Sequence, residues 1–254
     1  MPDAARAVHQ GEAITELCAE AAHSDRLSGK IVGRFTGGFY ARVDDSIFAV
    51  AGSRIWPGPI HLVLDRDPPA VAEGADVHLD PLRLSFPGGT IDLAPAILYL
   101  PRAPSASDLG IAAPWMASWA AAKHRPDDLA AVWNDTRAAV ENGDLESAAA
   151  ALEGRGTGLT PSLERLISIA ARARTTDLSR NFLRWAARGQ SVAPVHMLFT
   201  DSSDALCRHG PLRREAFEEA AHIVRGIGHR SGAALLAGLG LAATTWKDRG
   251  RDAL

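Results

Sequence analysis

The chain holds only two cysteines in 254 residues, Cys18 and Cys207. A single distant pair builds no disulfide framework and has no metal-ligand spacing. Both read as small hydrophobic residues of a reducing compartment. The nine histidines show no paired ligand spacing either, so no zinc site, and no cofactor, is expected. Excess basic charge is missing: 27 Lys and Arg stand against 30 Asp and Glu, a net charge of −3. That excludes nonspecific nucleic-acid or anionic-membrane binding as the main activity. Long apolar runs are missing too. The longest, Ala233 to Ala243, is too short and too glycine-rich to span a bilayer. Residues 1–23 carry Asp3, Glu12, Glu16 and Glu20 where a secretory signal needs a continuous apolar core. The expectation is a cytoplasmic protein.

What the chain does have is hydrophobic content, 46% of residues, enough for a sizeable core. Its periodicity changes along the sequence. Residues 12–23 read as a helix with Ile14, Leu17, Cys18 and Ala21 on one face. From Ser28 to Leu100 the period is two, with strands expected near 31–35, 39–43, 47–50, 60–64, 77–79, 82–86, 90–93 and 97–100. Gly37-Gly38, Asp44-Asp45 and Pro87-Gly88-Gly89 mark turns, and Trp56-Pro57-Gly58-Pro59 is a breaker cluster. After Pro104 the pattern turns helical, over 106–123, 127–141, 144–152, 161–174, 176–188, 191–208, 212–225 and 230–247. The expected fold class is α+β: an N-terminal antiparallel β-sheet or small barrel, then an α-helical C-terminal domain. The expected divisions are an N-terminal helix in 1–27, a β-rich domain in 28–104 and a helical domain in 105–254.

Two glycine-rich turns lie in the helical half. In Gly154-Arg155-Gly156-Thr157-Gly158-Leu159-Thr160-Pro161-Ser162, Thr160 suits an N-cap and Pro161 the first helical position. A helix opening out of such a loop presents unpaired N–H groups to an anion. Gly226-Ile227-Gly228-His229-Arg230-Ser231-Gly232 has the same character. The first turn lacks the Lys-Ser/Thr ending of a P-loop, and the second lacks dinucleotide spacing. On spacing alone, two readings stand side by side: a ligand site, and two helix–helix connections whose glycines permit close packing.

The wording of these turns is similar to a known family. Gly156 to Ser162 resembles the Gly-x-Gly-Leu-Thr-Pro-Ser-Gly-Asp-Asp motif of the bacterial domain-of-unknown-function 2877 family. Gly228 to Gly238 resembles its Gly-His-Thr-Ser-Gly-x-Asp-Leu-Leu-x-Gly motif, and the patterns Gly29–Phe35 and Gly58–Leu64 fit as well. The best understood relatives are AllH-like subunits of an oxamate carbamoyltransferase, which act with two other subunits. The resemblance implies carbamoyl transfer between carbamoyl phosphate and oxamate, giving oxalurate. It also implies companion subunits or a homo-oligomer as partners. The motifs' three acids all differ: Glu164 and Arg165 stand where the family shows Asp and Asp, and Ala234 stands for Asp, while Leu163 replaces a Gly. Arg230 replaces a Thr. One carboxylate, Glu164, survives and two arginines are gained, which makes the expected pocket more cationic and independent of a metal.

The resulting candidate site assigns catalytic roles to His229, Ser231 and Glu164. Gly156, Gly158, Thr160, Ser162, Gly228, Arg230, Gly232 and Arg165 are the substrate-binding candidates, for a small anionic carboxylate, amide or carbamoyl phosphate. His229 offers a donor to a carbonyl or phosphate oxygen, Arg165 and Arg230 bidentate clamps, and the serines hydroxyls. A noncatalytic partner or ligand-sensing subunit that lost the acids is a second reading, and a repurposed enzyme of specialised metabolism a third. The tryptophans, including Trp115, Trp119 and Trp185, read as core or interface residues. Arg172, Arg174, Arg180, Arg184 and Arg188 read as a solvated helical face offset by nearby acids.

Overall fold

The computed structural model describes residues 5–24, 26–101, 104, 106–121, 176–200, 212–228, 232, 233, 235, 236 and 238–240. Its elements are β1 (Ala5–Gly11), α1 (Glu12–Ser24), β2 (Leu27–Phe35), β3 (Gly38–Val43), β4 (Ser46–Ala51), β5 (His61–Leu64), β6 (Asp76–Asp80), β7 (Arg83–Phe86), β8 (Gly89–Asp92), β9 (Ile97–Tyr99), α2 (Ala106–Ala121), α3 (Asp177–Ala187), α4 (Ala193–Met197) and α5 (Arg214–Arg225). Their described residues group into two units. One draws on 1–101 and 164–193, the other on 102–163 and 194–254.

In the first unit the strands run in the order β5-β4-β3-β2-β6-β7-β8-β1, and β1 pairs back onto β5. The sheet is therefore a closed eight-stranded barrel, which leaves no open edge between its first and last strands. β9 lies beside β1 in line with β8: Ala5 and Arg6 pair with Ile91 and Asp92, then His9 to Gly11 pair with Ile97 to Tyr99. The hairpins follow from turn chemistry. Gly37 and Gly88 supply φ values of +89° and +92°, and Asp44, at +49°, is one of the few side chains that tolerate the left-handed region.

Of the two arrangements expected, an antiparallel sheet or a small barrel, the barrel forms, and it is mixed rather than antiparallel. β4–β5, β1–β8 and β1–β9 are parallel pairs. The breaker cluster at 56–59 explains the first: it carries the chain around so that β5 re-enters in the direction of β4, which a tight turn does not allow. β1 has no counterpart in the sequence reading, which has only a helix before residue 28. Its inward residues are Ala5 and Ala7, too small and too weak in β propensity to stand out.

Alternation places one face of each strand in the core. Phe39, Ala41 and Val43, then Phe48 and Val50, Leu62 and Leu64, Val77 and Leu79, and Leu84 and Phe86 meet inside the barrel. Ile14, Leu17, Cys18 and Ala21 of α1 join the same core. α1 touches β1, β2, β4, β5, β6 and β9, strands around much of the circumference, so it lies across one mouth of the barrel. Gly11, where β1 turns into α1, has to be glycine: a Cβ there would stand 2.3 Å from the carbonyl oxygens of Gly58 and Pro59.

β4 and β5 are buried on their outer face as well. There α3 covers them with a stripe of Leu178, Phe182 and Trp185, of which Trp185 is 1% exposed. Asn181, on the same side, donates its amide N–H to the Ile47 carbonyl. Thr176 caps α3, its hydroxyl accepting from the Ser179 N–H at 3.2 Å. After the helix, Ala193 N–H donates to the Pro57 carbonyl at 2.9 Å, and the Tyr99 hydroxyl donates to the Ser191 carbonyl at 3.1 Å.

In the second unit α2 packs on α5 through Trp115 against Phe217 and Trp119 against His222, both with ring centroids 5.7 Å apart. The expected helices at 106–123, 176–188 and 212–225 thus match α2, α3 and α5. The helix expected over 191–208 is five residues long, α4, followed by a turn at 198–199; residues 201–208 lie outside the described residues. So do the helices expected at 127–141, 144–152 and 161–174.

Candidate functional site

The Gly226–Gly232 turn is built from the end of α5. Gly226 N–H donates to the carbonyls of His222 (3.2 Å) and Ile223 (3.0 Å), and Ile227 N–H to that of Val224 (3.0 Å), which closes off the helix. Gly228 then takes φ +61°, and the chain reverses. Gly232 N–H donates to the Ile227 carbonyl at 2.9 Å. Residues 232, 233, 235, 236 and 238–240 are helical. A Cβ on Gly232 would fall 1.8 Å from the Val224 carbonyl oxygen. Gly228 and Gly232 therefore each have a backbone reason to be glycine. One needs a positive φ, and the other lets the new helix start against the end of α5. The Gly232 N–H, one of those a bound anion would use, is already taken by Ile227.

His229, Arg230 and Ser231 lie outside the described residues. The same holds for Gly156, Gly158, Thr160, Ser162, Glu164 and Arg165 in the first motif, and for Ala234. Among the described residues no group of three or more His, Cys, Asp or Glu is placed to hold a metal ion. No helix of the described residues is long and apolar enough to cross a membrane.

The barrel unit carries a cleft of about 310 Å³, lined by Arg42, Asp45, Ile47, Asp177, Arg180, Asn181 and Arg184. Arg42 points outward from β3, whose inward positions are Phe39, Ala41 and Val43. Arg180 and Arg184 sit one turn apart on α3 and share a face. Asp177, in the first turn of α3, takes Arg42 on Oδ2 and Arg180 on Oδ1. The hydrogen bond from Arg42, followed by the charge of Arg180, holds the Asp177 carboxyl below the usual carboxylate range. Arg42 Nε is buried and has no hydrogen-bond partner among the described residues. Ile47 and Asn181, both buried, form the floor.

The basic stretch expected as one solvated face thus divides. Arg180 and Arg184 line this cleft. Arg188 pairs with Glu16 of α1 at 3.0 Å and lies 4.7 Å over the Trp185 ring. Spacing of i, i+4 puts Arg180 and Arg184 together, but nothing in the sequence links them to Arg42, 138 positions before Arg180 and on a strand.

Burial pushes the Cys18 thiol up to about 11, so it behaves as the inert apolar residue expected of it. His61, on the outer face of β5 beneath Phe182, is driven down to about 4 by burial. Its Nδ1 is buried without a hydrogen-bond partner among the described residues. His196 is buried, 5% exposed.

Comparison with known proteins finds a match to one family, described as oxamate carbamoyltransferase subunit AllH, over residues 163–243. The chain is AllH-like there. The matched segment takes in α3, α4, α5 and the Gly226–Gly232 turn. No curated protein and no solved structure matches the chain.

Proposed function

We propose that this AllH-like chain is a diverged subunit of a carbamoyltransferase-type enzyme, binding a small carboxylate, amide or carbamoyl phosphate at its two glycine motifs. The observation that carries the reading is the match over residues 163–243, which contains the whole of the Gly228–Gly238 motif and both acidic positions of the first. In this reading the Gly154–Thr160 loop and the helix start at 161–162 hold the oxyanion, and His229, Ser231 and Arg230 form the opposite wall. Carbamoyl transfer asks a protein mainly to position two reactants and to stabilise the negative charge that develops as the phosphate departs. His229 and Arg230 suit that task. Glu164 is the remaining carboxylate for proton transfer. Companion subunits complete the enzyme.

Calorimetric titration with carbamoyl phosphate tests this. Saturable binding is expected, weakened by roughly 1.5–3 kcal/mol in Arg230→Thr, the range of a hydrogen bond to a charged group. Absence of binding, with and without companion subunits, overturns it. A second reading, a noncatalytic ligand-sensing subunit, is favoured by one specific feature: Arg165 and Ala234 stand in two of the three acidic motif positions. The reverse reaction, carbamoyl phosphate formed from oxalurate and phosphate, separates the two. Binding without turnover in the assembled complex selects the sensor.

A further inference from the structure

We infer that the cleft between β3 and the first turns of α3 is a second anion site, one that takes a tetrahedral oxyanion: phosphate or the phosphoryl group of a small molecule. It lies within the barrel unit and involves neither glycine motif. Three guanidiniums from two separate elements, Arg42 on β3 and Arg180 and Arg184 on α3, line one cleft of about 310 Å³. A carboxylate is satisfied by a single guanidinium fork. A phosphate presents oxygens in several directions and uses donors that arrive from more than one side.

The donors are held in place beforehand. Asp177 takes Arg42 on one oxygen and Arg180 on the other, so each guanidinium is oriented before a ligand arrives. Arg42 is anchored in this way through one terminal nitrogen, while its buried Nε has no hydrogen-bond partner among the described residues. The floor is rigid. Asn181 is 7% exposed, and its side-chain amide is fastened to the Ile47 carbonyl of β4. Asn181 thus ties the helix to the barrel at the base of the cleft, and Thr176 caps the same helix just before Asp177. Among the described residues that line the cleft, three guanidiniums stand with two carboxylates, Asp177 and Asp45. Asp45, at the β3–β4 turn, is exposed and carries no cation of its own among the ion pairs of the described residues. It limits affinity for a dianion.

The test is a titration of the full chain with inorganic phosphate, followed by NMR of the arginine Nε–H groups. Saturable shifts are expected at Arg42 and Arg184. Arg184→Gln should weaken binding about tenfold, the loss of one hydrogen bond to a charged group. Arg42→Lys, which keeps the charge and loses the fork, should also weaken it, and Asp45→Asn should tighten it several-fold. Methyl phosphate should compete if the natural ligand carries its phosphoryl group on an organic molecule. If inorganic phosphate alone binds, the ligand is the free ion, and the site stands. Linear, unsaturable shifts in the unmodified chain overturn the proposal. So does saturable binding that survives Arg184→Gln and Arg42→Lys but vanishes in Arg230→Thr, because phosphate then sits at the glycine turn. Carbamoyl phosphate binding that is unchanged in Arg230→Thr but lost in Arg184→Gln and Arg42→Lys would instead overturn the function proposed above and leave this site intact.

Discussion

The barrel and the Gly226–Gly232 turn use glycine for the same physical purpose in different settings. In the barrel, Gly11 lets the start of α1 press against the Gly58-Pro59 backbone. In the turn, Gly232 lets a helix start press against the Val224 carbonyl. Neither position has room for a Cβ. Yet only the second stands in a motif that suggests a ligand. The comparison teaches that a glycine pattern identifies close backbone approach and leaves open what approaches. At Gly11 it is the chain itself. At Gly232 it is also the chain, and any ligand must then be held by the neighbouring side chains and the other motif.

Four perturbations sharpen or break this contrast, and the largest acts on the barrel. Trp185 is a buried anchor of the helix that covers β4 and β5, within the segment matched to the AllH family. Trp185→Ala is expected to cost roughly 3–5 kcal/mol, the range for deleting a large buried ring. Urea denaturation measures it. A loss below about 1 kcal/mol would mean that α3 is an appendage of the barrel and not part of its core.

Next in size is a pH effect. His61 is neutral and buried in the folded chain, with its pKa driven down to about 4 from an ordinary 6.5. The unfolded chain binds the proton first, so stability is undiminished above about 6.5, falls as pH drops below it, and levels off below about 4. The difference amounts to about 3 kcal/mol. His61→Leu removes both the titration and the unpartnered Nδ1. Its denaturation free energy should depend less on pH between 7 and 4 than that of the unmodified chain. Equal slopes would show that His61 is hydrated in solution.

Gly232→Ala comes third and is the direct comparison with Gly11→Ala. Each adds a Cβ against a backbone carbonyl, and each is expected to destabilise by roughly 1–3 kcal/mol, as overpacking does. Thermal melts of the two variants measure this. If Gly232→Ala melts with the unmodified protein but no longer binds carbamoyl phosphate, the glycine is there for the ligand after all.

Much of the barrel is legible in the sequence, because period-two alternation and turn residues are local signals. The strands expected at 39–43, 47–50 and 90–93 lie within a residue of β3, β4 and β8. What escapes is what depends on distant pairing. β1 is an alanine-bearing strand stabilised by β5, β8 and β9 on its flanks. The parallel β4–β5 pair is decided by the path of the loop between them. The arginine cleft escapes for the same reason: Arg180 and Arg184 share a helix face visibly, while Arg42 reaches them only once β3 and α3 have packed. Of the glycine motif, the reversal at Gly228 is legible from residue type. The close approach at Gly232 is a packing fact, and the pattern alone carries two explanations for it.

The smallest effect tests how firmly the arginine cleft is tied to the barrel. Thr176 is the N-cap of α3, with extended backbone and a hydroxyl that accepts the Ser179 N–H. Thr176→Ala leaves that N–H without its partner and should cost about 1 kcal/mol. A cap acts on the first turn, and the first turn of α3 carries Asp177, the carboxylate that orients Arg42 and Arg180. Fraying there should disorder the cleft before it disturbs Trp185, two turns further on. Phosphate affinity is therefore expected to fall in Thr176→Ala by more than the small change in melting temperature suggests, while tryptophan fluorescence of the folded state stays the same. If affinity is unchanged at the same loss of stability, the arginines hold their positions without the cap, and the floor formed by Asn181 and Ile47 alone fixes the cleft.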